Sequence, residues 1–253
     1  MRVTVIGCSG SYPGPESPAS SYLVEATAGE RTWRILLDLG SGALGGLQKV
    51  VDPLSIDAVF LTHLHPDHYF DLSGYYVMRK YHPAGPPQRI PVWGPRGTAG
   101  RLAAAYGLPP DPGMTEEFEF HGYDEQGPVT IGPLTVEVAQ VAHPVESYAI
   151  KVTHEGRVLV YSGDTGPCDA LVDLARGADL LLAEAAFRDG EDNPVDLHMT
   201  GGQAADTAVR AGASRLVLTH IPPWYDPSVA FDEARPIFDG KLDLARCGAT
   251  YDI

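Results

Sequence analysis

The chain has 253 residues, 44% of them hydrophobic, enough to bury a sizeable core in one large domain or two small ones, and its 20% charged residues mark a globular rather than a disordered composition. A net charge of −15, with no basic cluster denser than Arg79–Lys80, makes the chain a poor match for a long nucleic-acid backbone and otherwise serves solubility. Three scattered cysteines, Cys8, Cys168 and Cys247, form no CxxC pair, which excludes a disulfide framework and points to a reducing compartment.

The start, MRVTVIGCSGS, alternates like a short strand and lacks the long apolar stretch of a signal peptide. No apolar run approaches membrane-spanning length, so a cytoplasmic protein without membrane contact is expected. Apolar runs rich in β-branched residues predict strands over 3–7, 21–26, 34–40, 57–63 and 90–94, and helical spacing follows at 98–106. Residues 107–128, rich in Pro, Gly, Asp and Glu, read as loop. Strands are then predicted over 134–143, 148–153, 157–164, 179–187 and 215–220, with helices over 167–177 and 200–212 that stop at Gly177 and Gly212. The pattern is α/β, and a single domain over 1–253 is expected. FLTH at 60–63 and VLTH at 217–220 are both strands ending on a histidine, a faint echo of two similar halves.

Residues 61–68 read LTHLHPDH, so three of the nine histidines crowd into six positions. His63 and His65 are two apart, and in extended chain their side chains point the same way. Pro66 disfavours helix at His65 and suits the first helical position, so the chain turns there and carries Asp67 and His68 on a first helical turn. Imidazole and carboxylate suit zinc, and also iron or manganese. Alone, His143 and His220 read as core or surface histidines and Asp164 as a turn residue or cap. Beside the cluster they rise together, because each follows an apolar run and strand ends converge on one rim of a sheet. Seven ligands are too many for one tetrahedral ion; they suit two divalent metals that share a carboxylate, about 3.5–4 Å apart.

THLHPDH (62–68) resembles the HxHxDH signature of the metallo-β-lactamase superfamily, and the resemblance runs nearly end to end through DLGSG (38–42), SGDT (162–165) and LTHIPP (218–223). It implies an αββα sandwich of two mixed sheets face to face with helices outside. It further implies one metal held by His63, His65 and His143, a second by Asp67, His68 and His220, and Asp164 bridging them. Zn2+ is the first expectation, with Mn2+ or Fe2+ as alternatives, and Asp67 counts as a catalytic residue as well as a ligand.

LLLAEAAF (180–187) and HMTGGQAA (198–205) look like the glutamate strand and His-x-Thr helix start of the ribonuclease Z-like phosphodiesterases. That resemblance makes His198 the acid for the leaving oxygen and Glu184 its orienting partner; without it, His198 reads as an exposed residue before a helix capped by Thr200. The branch's arm for transfer RNA has no room here, because only residues 144–163 lie between His143 and Asp164 and they read as two strands and a turn. The wider pattern, including GCSGS, YHP, AHPVESY and LTHIPPW, is similar to actinobacterial members proposed to hydrolyse 3′,5′-cyclic nucleotides. A small phosphodiester is therefore the expected substrate.

Several alternatives remain. The same site suits an RNA 3′-processing endonuclease, or a thioester or lactone hydrolase, although ester chemistry can dispense with the His198–Glu184 pair. A metal-binding module without catalysis has no need of so complete a ligand set. Gly40, Gly42 and Gly45 spell GxGxxG after a strand, a weak dinucleotide fingerprint whose next strand ends in histidine rather than an acid. Trp224 and Tyr225 are read as packing or interface residues rather than base-stacking ones, with IPPWYDP a candidate homodimer contact. Arg79, Lys80 and His82 are read as solvated surface.

Overall fold

The computed structural model describes residues 1–123 and 127–253. Strands β1 (Arg2–Gly7), β2 (Ser21–Ala28) and β3 (Arg31–Leu37) form an antiparallel meander. After helix α1 (Ala43–Leu47), the chain adds β4 (Ala58–Phe60) parallel to β3. Helices α2 (Pro66–Tyr69) and α3 (Leu72–Lys80) follow, then β5 (Ile90–Gly94), helix α4 (Thr98–Tyr106) and β6 (Phe118–Gly122), the last two strands again parallel.

The second half repeats this change from antiparallel to parallel pairing. β7 (Val129–Ile131), β8 (Leu134–Gln140), β9 (Tyr148–His154) and β10 (Arg157–Tyr161) are antiparallel. After helix α5 (Asp169–Leu174) come β11 (Leu180–Glu184), helix α6 (Gly201–Ala211), β12 (Arg215–Thr219), helix α7 (Pro227–Ala234) and β13 (Lys241–Leu244), the three strands parallel. β14 (Thr250–Asp252) returns to pair with β1, and each sheet holds seven strands. The faint echo of FLTH and VLTH therefore falls on parallel strands in two sheets of similar build.

Period-two alternation divides each strand between layers. Tyr22, Val24 and Ala26 of β2 meet Ile150, Val152, Leu159 and Tyr161 of the other sheet in the core between sheets. Leu23 faces the opposite way, into a core with Leu47, Leu72, Tyr75 and Leu102 of the helices. On the far side, Val160, Leu181 and Leu216 cover Ala204, Ala205 and Ala208 of α6. These strands are buried on both faces, which is why they read as unbroken apolar runs. The result is the expected αββα sandwich. No helix among the described residues is long and apolar enough to cross a membrane.

Local departures from the sequence expectations have physical causes. The stretch 107–128 contains β6, whose parallel pairing to β5 overrides a turn-rich composition; residues 124–126 of that stretch lie outside the described residues. Helix α3 was not foreseen. Its Arg79 is no surface residue: it is 1% exposed, and its guanidinium donates to the carbonyl of Gln88 and to the Tyr75 hydroxyl. Gly177 lies three residues past the end of α5 rather than at its cap, whereas Gly212 caps α6 in the left-handed conformation.

The GxGxxG stretch does structural work. Gly40 sits so close to the 63–68 segment that a Cβ there would lie 1.8 Å from the Asp67 carbonyl oxygen, while a Cβ at Gly45 meets nothing within 4 Å. Gly40→Ala is expected to destabilise the fold by about 1–3 kcal/mol or more, and Gly45→Ala, inside α1, to leave it unchanged or stabilise it by about 0.5–1 kcal/mol. Urea denaturation of the two variants beside the parent checks this pair.

Candidate metal centre

β4 ends at Phe60, and the next residues cross the rim of the sheet toward α2. His65 holds the N-cap position at φ −80° and ψ 145°, with Pro66 at the first helical position, so the proline-driven turn forms as the sequence predicts. His63, Asp67 and His68 are buried and His65 is half-buried. His143 comes three residues after β8, Asp164 three after β10, and His220 directly after β12. All seven reach one rim of the sandwich, where they form two groups.

In the first group the Nε2 of His63 lies 3.0 Å from the Nδ1 of His65, which lies 3.3 Å from the Nε2 of His143. The Oδ2 of Asp164 is 3.6 Å from the Nε2 of His63. In the second group the Nε2 of His220 is 3.2 Å from the Nε2 of His68 and 3.1 Å from the Oδ2 of Asp67. The other carboxylate oxygen of Asp164, Oδ1, is 3.1 Å from His68 Nε2 and 3.4 Å from His220 Nε2. Asp164 thus turns one oxygen to each group.

These spacings fit ions. Tetrahedral bonds of about 2.0–2.2 Å set ligand atoms about 3.3–3.6 Å apart, close to the separations in both groups. The buried Oδ1 of Asp164 has no hydrogen-bond donor, a costly state for a carboxylate oxygen unless a cation meets it. Both sets are nitrogen and oxygen donors, as borderline divalent metals require.

Electrostatics prepares the donors. Burial pushes the His63 pKa well down, and the neighbouring His68 adds to it; burial also lowers His65 and His143, so these imidazoles stay neutral with lone pairs free. Burial would raise Asp164, but His220, His68 and His63 outweigh it and hold the pKa well below the usual carboxylate range. Asp67 is lowered in the same way, chiefly by His68 and His220 against its own burial. For His68 the balance tips the other way: burial disfavours its charge, yet Asp164, Asp38 and Asp67 push its pKa up. A cation between these groups would take the place of that proton.

Further partners fix which nitrogen faces inward. The Nδ1–H of His143 donates to the carbonyl of Leu197 at 2.8 Å, leaving Nε2 for the site. His68 donates through Nδ1 to Asp38 at 2.7 Å, and the Thr62 hydroxyl lies 3.0 Å from His63 Nδ1. Asp38 has φ +60° and is fully buried. Its carboxylate also accepts from the Thr62 amide at 2.7 Å, the Thr62 hydroxyl at 2.9 Å and the Tyr161 hydroxyl at 2.9 Å. Sequence reasoning registered Asp38 only as part of a resembling motif and missed Thr62, Tyr161 and the Leu197 carbonyl. Thr62 was in view as the threonine of FLTH.

His198 and Glu184 stand beside both groups. The Nδ1 of His198 donates to Glu184 Oε1 at 2.8 Å, and its ring lies 5.6 Å from the rings of both His143 and His220. Glu184, at the end of β11, is itself fixed by the amides of Thr165 (2.9 Å), Ala186 (3.1 Å) and Met199 (3.2 Å). Burial lowers the His198 pKa, but the charge and hydrogen bond of Glu184, with Asp164 behind, outweigh it and raise the pKa to about 9. Thr200 follows as the N-cap of α6, in a reciprocal capping box with Gln203. Phe187 meets the His198 ring edge-on at 5.0 Å. The bonded Nδ1 leaves Nε2 as the nitrogen able to deliver a proton.

Comparison with known proteins identifies the family of the chain. The family described as the beta-lactamase superfamily domain matches residues 33–221. An uncharacterized protein of Mycobacterium tuberculosis is 44% identical over all of this chain and 92% of its own length. A probable metallo-hydrolase of Bacillus subtilis, YhfI, is 30% identical with both chains fully covered, and its crystal structure superposes with a TM-score of 0.86 at 28% identity over 99% of each chain. A ribonuclease Z of Myxococcus xanthus is 28% identical over 309 aligned positions that cover all of this chain and 98% of that one. The chain belongs to the metallo-β-lactamase superfamily and is a metal-dependent hydrolase of it.

Proposed function

We propose that this hydrolase is a phosphodiesterase acting on small phosphodiesters, and that its substrate class is the 3′,5′-cyclic nucleotides, opened to 5′-monophosphates. The observation that carries the reading is the hydrogen-bonded pair of half-buried His198 and buried Glu184 beside both ligand groups. An alkoxide leaving group as basic as a ribose 3′-oxygen needs a proton as it departs, and a carboxylate-bound imidazole can supply one. Thioesters and lactones make less demand for that acid.

One group of His63, His65 and His143 and one of Asp67, His68 and His220, with Asp164 shared, would hold two divalent ions, Zn2+ first by the character of the donors. When bound, the ions supply Lewis-acid neutralisation of the phosphodiester oxygens and bring the pKa of water to about 7. Glu184 holds the His198 ring with Nε2 directed at the leaving oxygen. As a water oxygen bonds to phosphorus and the P–O3′ bond breaks, His198 would give its proton to O3′; the proton shed by the water passes to solvent, from which His198 is reprotonated. Asp67 keeps its charge throughout, because its neighbours hold its pKa low.

Two features support a small substrate over RNA. Between His143 and Asp164 the chain is a tight hairpin, β9 to β10, paired without interruption from His154–Arg157 to Ile150–Tyr161 and turned at Glu155 and Gly156, both at positive φ. The net charge of −15 adds little attraction for a polyanion.

Assays of cyclic nucleotides, linear dinucleotides, precursor transfer RNA and a thioester side by side test the reading; preferential turnover of the thioester or of the RNA would overturn it. His198→Ala should lower kcat on a cyclic nucleotide about 10²–10⁴-fold while elemental analysis still finds two metals per chain. For Glu184→Gln the effect is on pH. His198 must be protonated to act, so activity is present below its pKa and lost as pH rises through it. Removing the carboxylate lowers that pKa, and the alkaline limb of the kcat profile should move to lower pH. Asp38→Asn should weaken divalent-metal affinity about 10–100-fold, measured by competition with a chromogenic chelator.

A further inference from the structure

We propose that Tyr12 and Trp224 form a stacking platform for the base of the nucleotide, which makes the enzyme selective for purine 3′,5′-cyclic nucleotides; this rests on the phosphodiesterase reading. The two rings lie 5.3 Å apart at an interplanar angle of 37°, and both are open to solvent, Trp224 at 56% and Tyr12 at 44%. Exposed aromatic rings forgo burial that the fold could otherwise give them, so a rigid exposed pair is a surface suited to a flat ligand.

The platform is anchored to the metal centre. Ser11, one residue before Tyr12, places its amide nitrogen 3.5 Å from His220 Nε2, the nitrogen that faces the second ligand group. Gly10 donates to the Ile221 carbonyl at 3.1 Å, and a Cβ at Gly10 would lie 2.2 Å from the His220 carbonyl oxygen. The Ser9 hydroxyl donates to the Tyr12 carbonyl at 2.7 Å. Ser11 itself has φ +63°, which turns the chain at that point. The loop before Tyr12 and the loop that leads from His220 to Trp224 are thus bonded to each other at the rim. Tyr12 directly follows Ser11, whose amide lies beside His220, and Trp224 follows His220 by four residues, so a phosphodiester at the second ligand group would lie next to the segments that carry both rings.

Tyr225 does not share this role. The Arg188 guanidinium covers its ring at 3.8 Å, and its hydroxyl lies 3.4 Å from Glu191. Trp224, which meets Tyr12 at 5.3 Å and the edge of Tyr225 at 5.9 Å, has no cation over its ring among the described residues and stays largely open. A fused purine overlaps an indole more than a pyrimidine does, which is the basis for the purine preference.

The test compares cyclic AMP with the 3′,5′-cyclic phosphate of 1,2-dideoxyribose, which keeps the phosphodiester and lacks a base. In Trp224→Ala the ratio of kcat/KM for cyclic AMP over the base-free substrate should fall roughly 10–100-fold, through KM, and Trp224→Phe should restore most of it. Tyr12→Ala should act in the same direction. Binding of AMP should quench tryptophan fluorescence in the parent and not in Trp224→Ala, while ribose 5-phosphate quenches neither. An unchanged ratio in Trp224→Ala, or a change of oligomeric state in its place, overturns the platform. If the parent opens no cyclic nucleotide, the phosphodiesterase reading fails on its own, and the AMP and ribose 5-phosphate arms still decide whether the rings bind a base.

Discussion

The buried carboxylate of Asp38 is the constraint on which the centre depends. It leaves β3 in a left-handed conformation that is uncommon for any residue but glycine, and turns back beneath the start of the ligand segment. There it takes the Thr62 amide and hydroxyl, His68 Nδ1 and, from the other sheet, the Tyr161 hydroxyl. One charge thereby fixes the ring orientation of His68, the path of the chain into His63 and the approach of the two sheets. A buried carboxylate with four donors is well satisfied, and removing any one of them leaves a costly vacancy.

The surrounding fold explains why such a centre is tolerated. The sandwich buries apolar side chains in three layers, and its polar groups gather at one rim where strands end. Four segments at that rim carry the candidate ligands, and none of these residues lies within a strand. Loops leaving buried strands are therefore held rigid at one end, which gives side chains on them the precision that binding an ion requires.

Much of this was legible in the chain. His63 to His68 announced themselves by spacing, and His143, Asp164 and His220 by following apolar runs. Pro66 and Thr200 marked helix starts that the structure contains. What stayed hidden has a common cause: it depends on contacts distant in sequence. β6 owes its existence to pairing with β5, and Arg79 is buried because Gln88 and Tyr75 meet it. Asp38, alone, is simply an acid two residues before a glycine; its role appears only when Tyr161 is brought across from the second sheet. Of the three glycines after it, only Gly40 is required by close approach, to the Asp67 backbone; Gly42 takes positive φ at the start of α1, and Gly45 faces open space.

Asp164 gives one oxygen to each ligand group, and this has a thermodynamic consequence. A single anion cannot be polarised fully toward two cations at once, so with an ion in each group the two affinities would be linked: filling one would draw electron density from the bond available to the other, while also fixing the carboxylate in place for it. Occupancy at the two positions is then a joint property of the pair, and neither can be retuned toward another element without disturbing its neighbour.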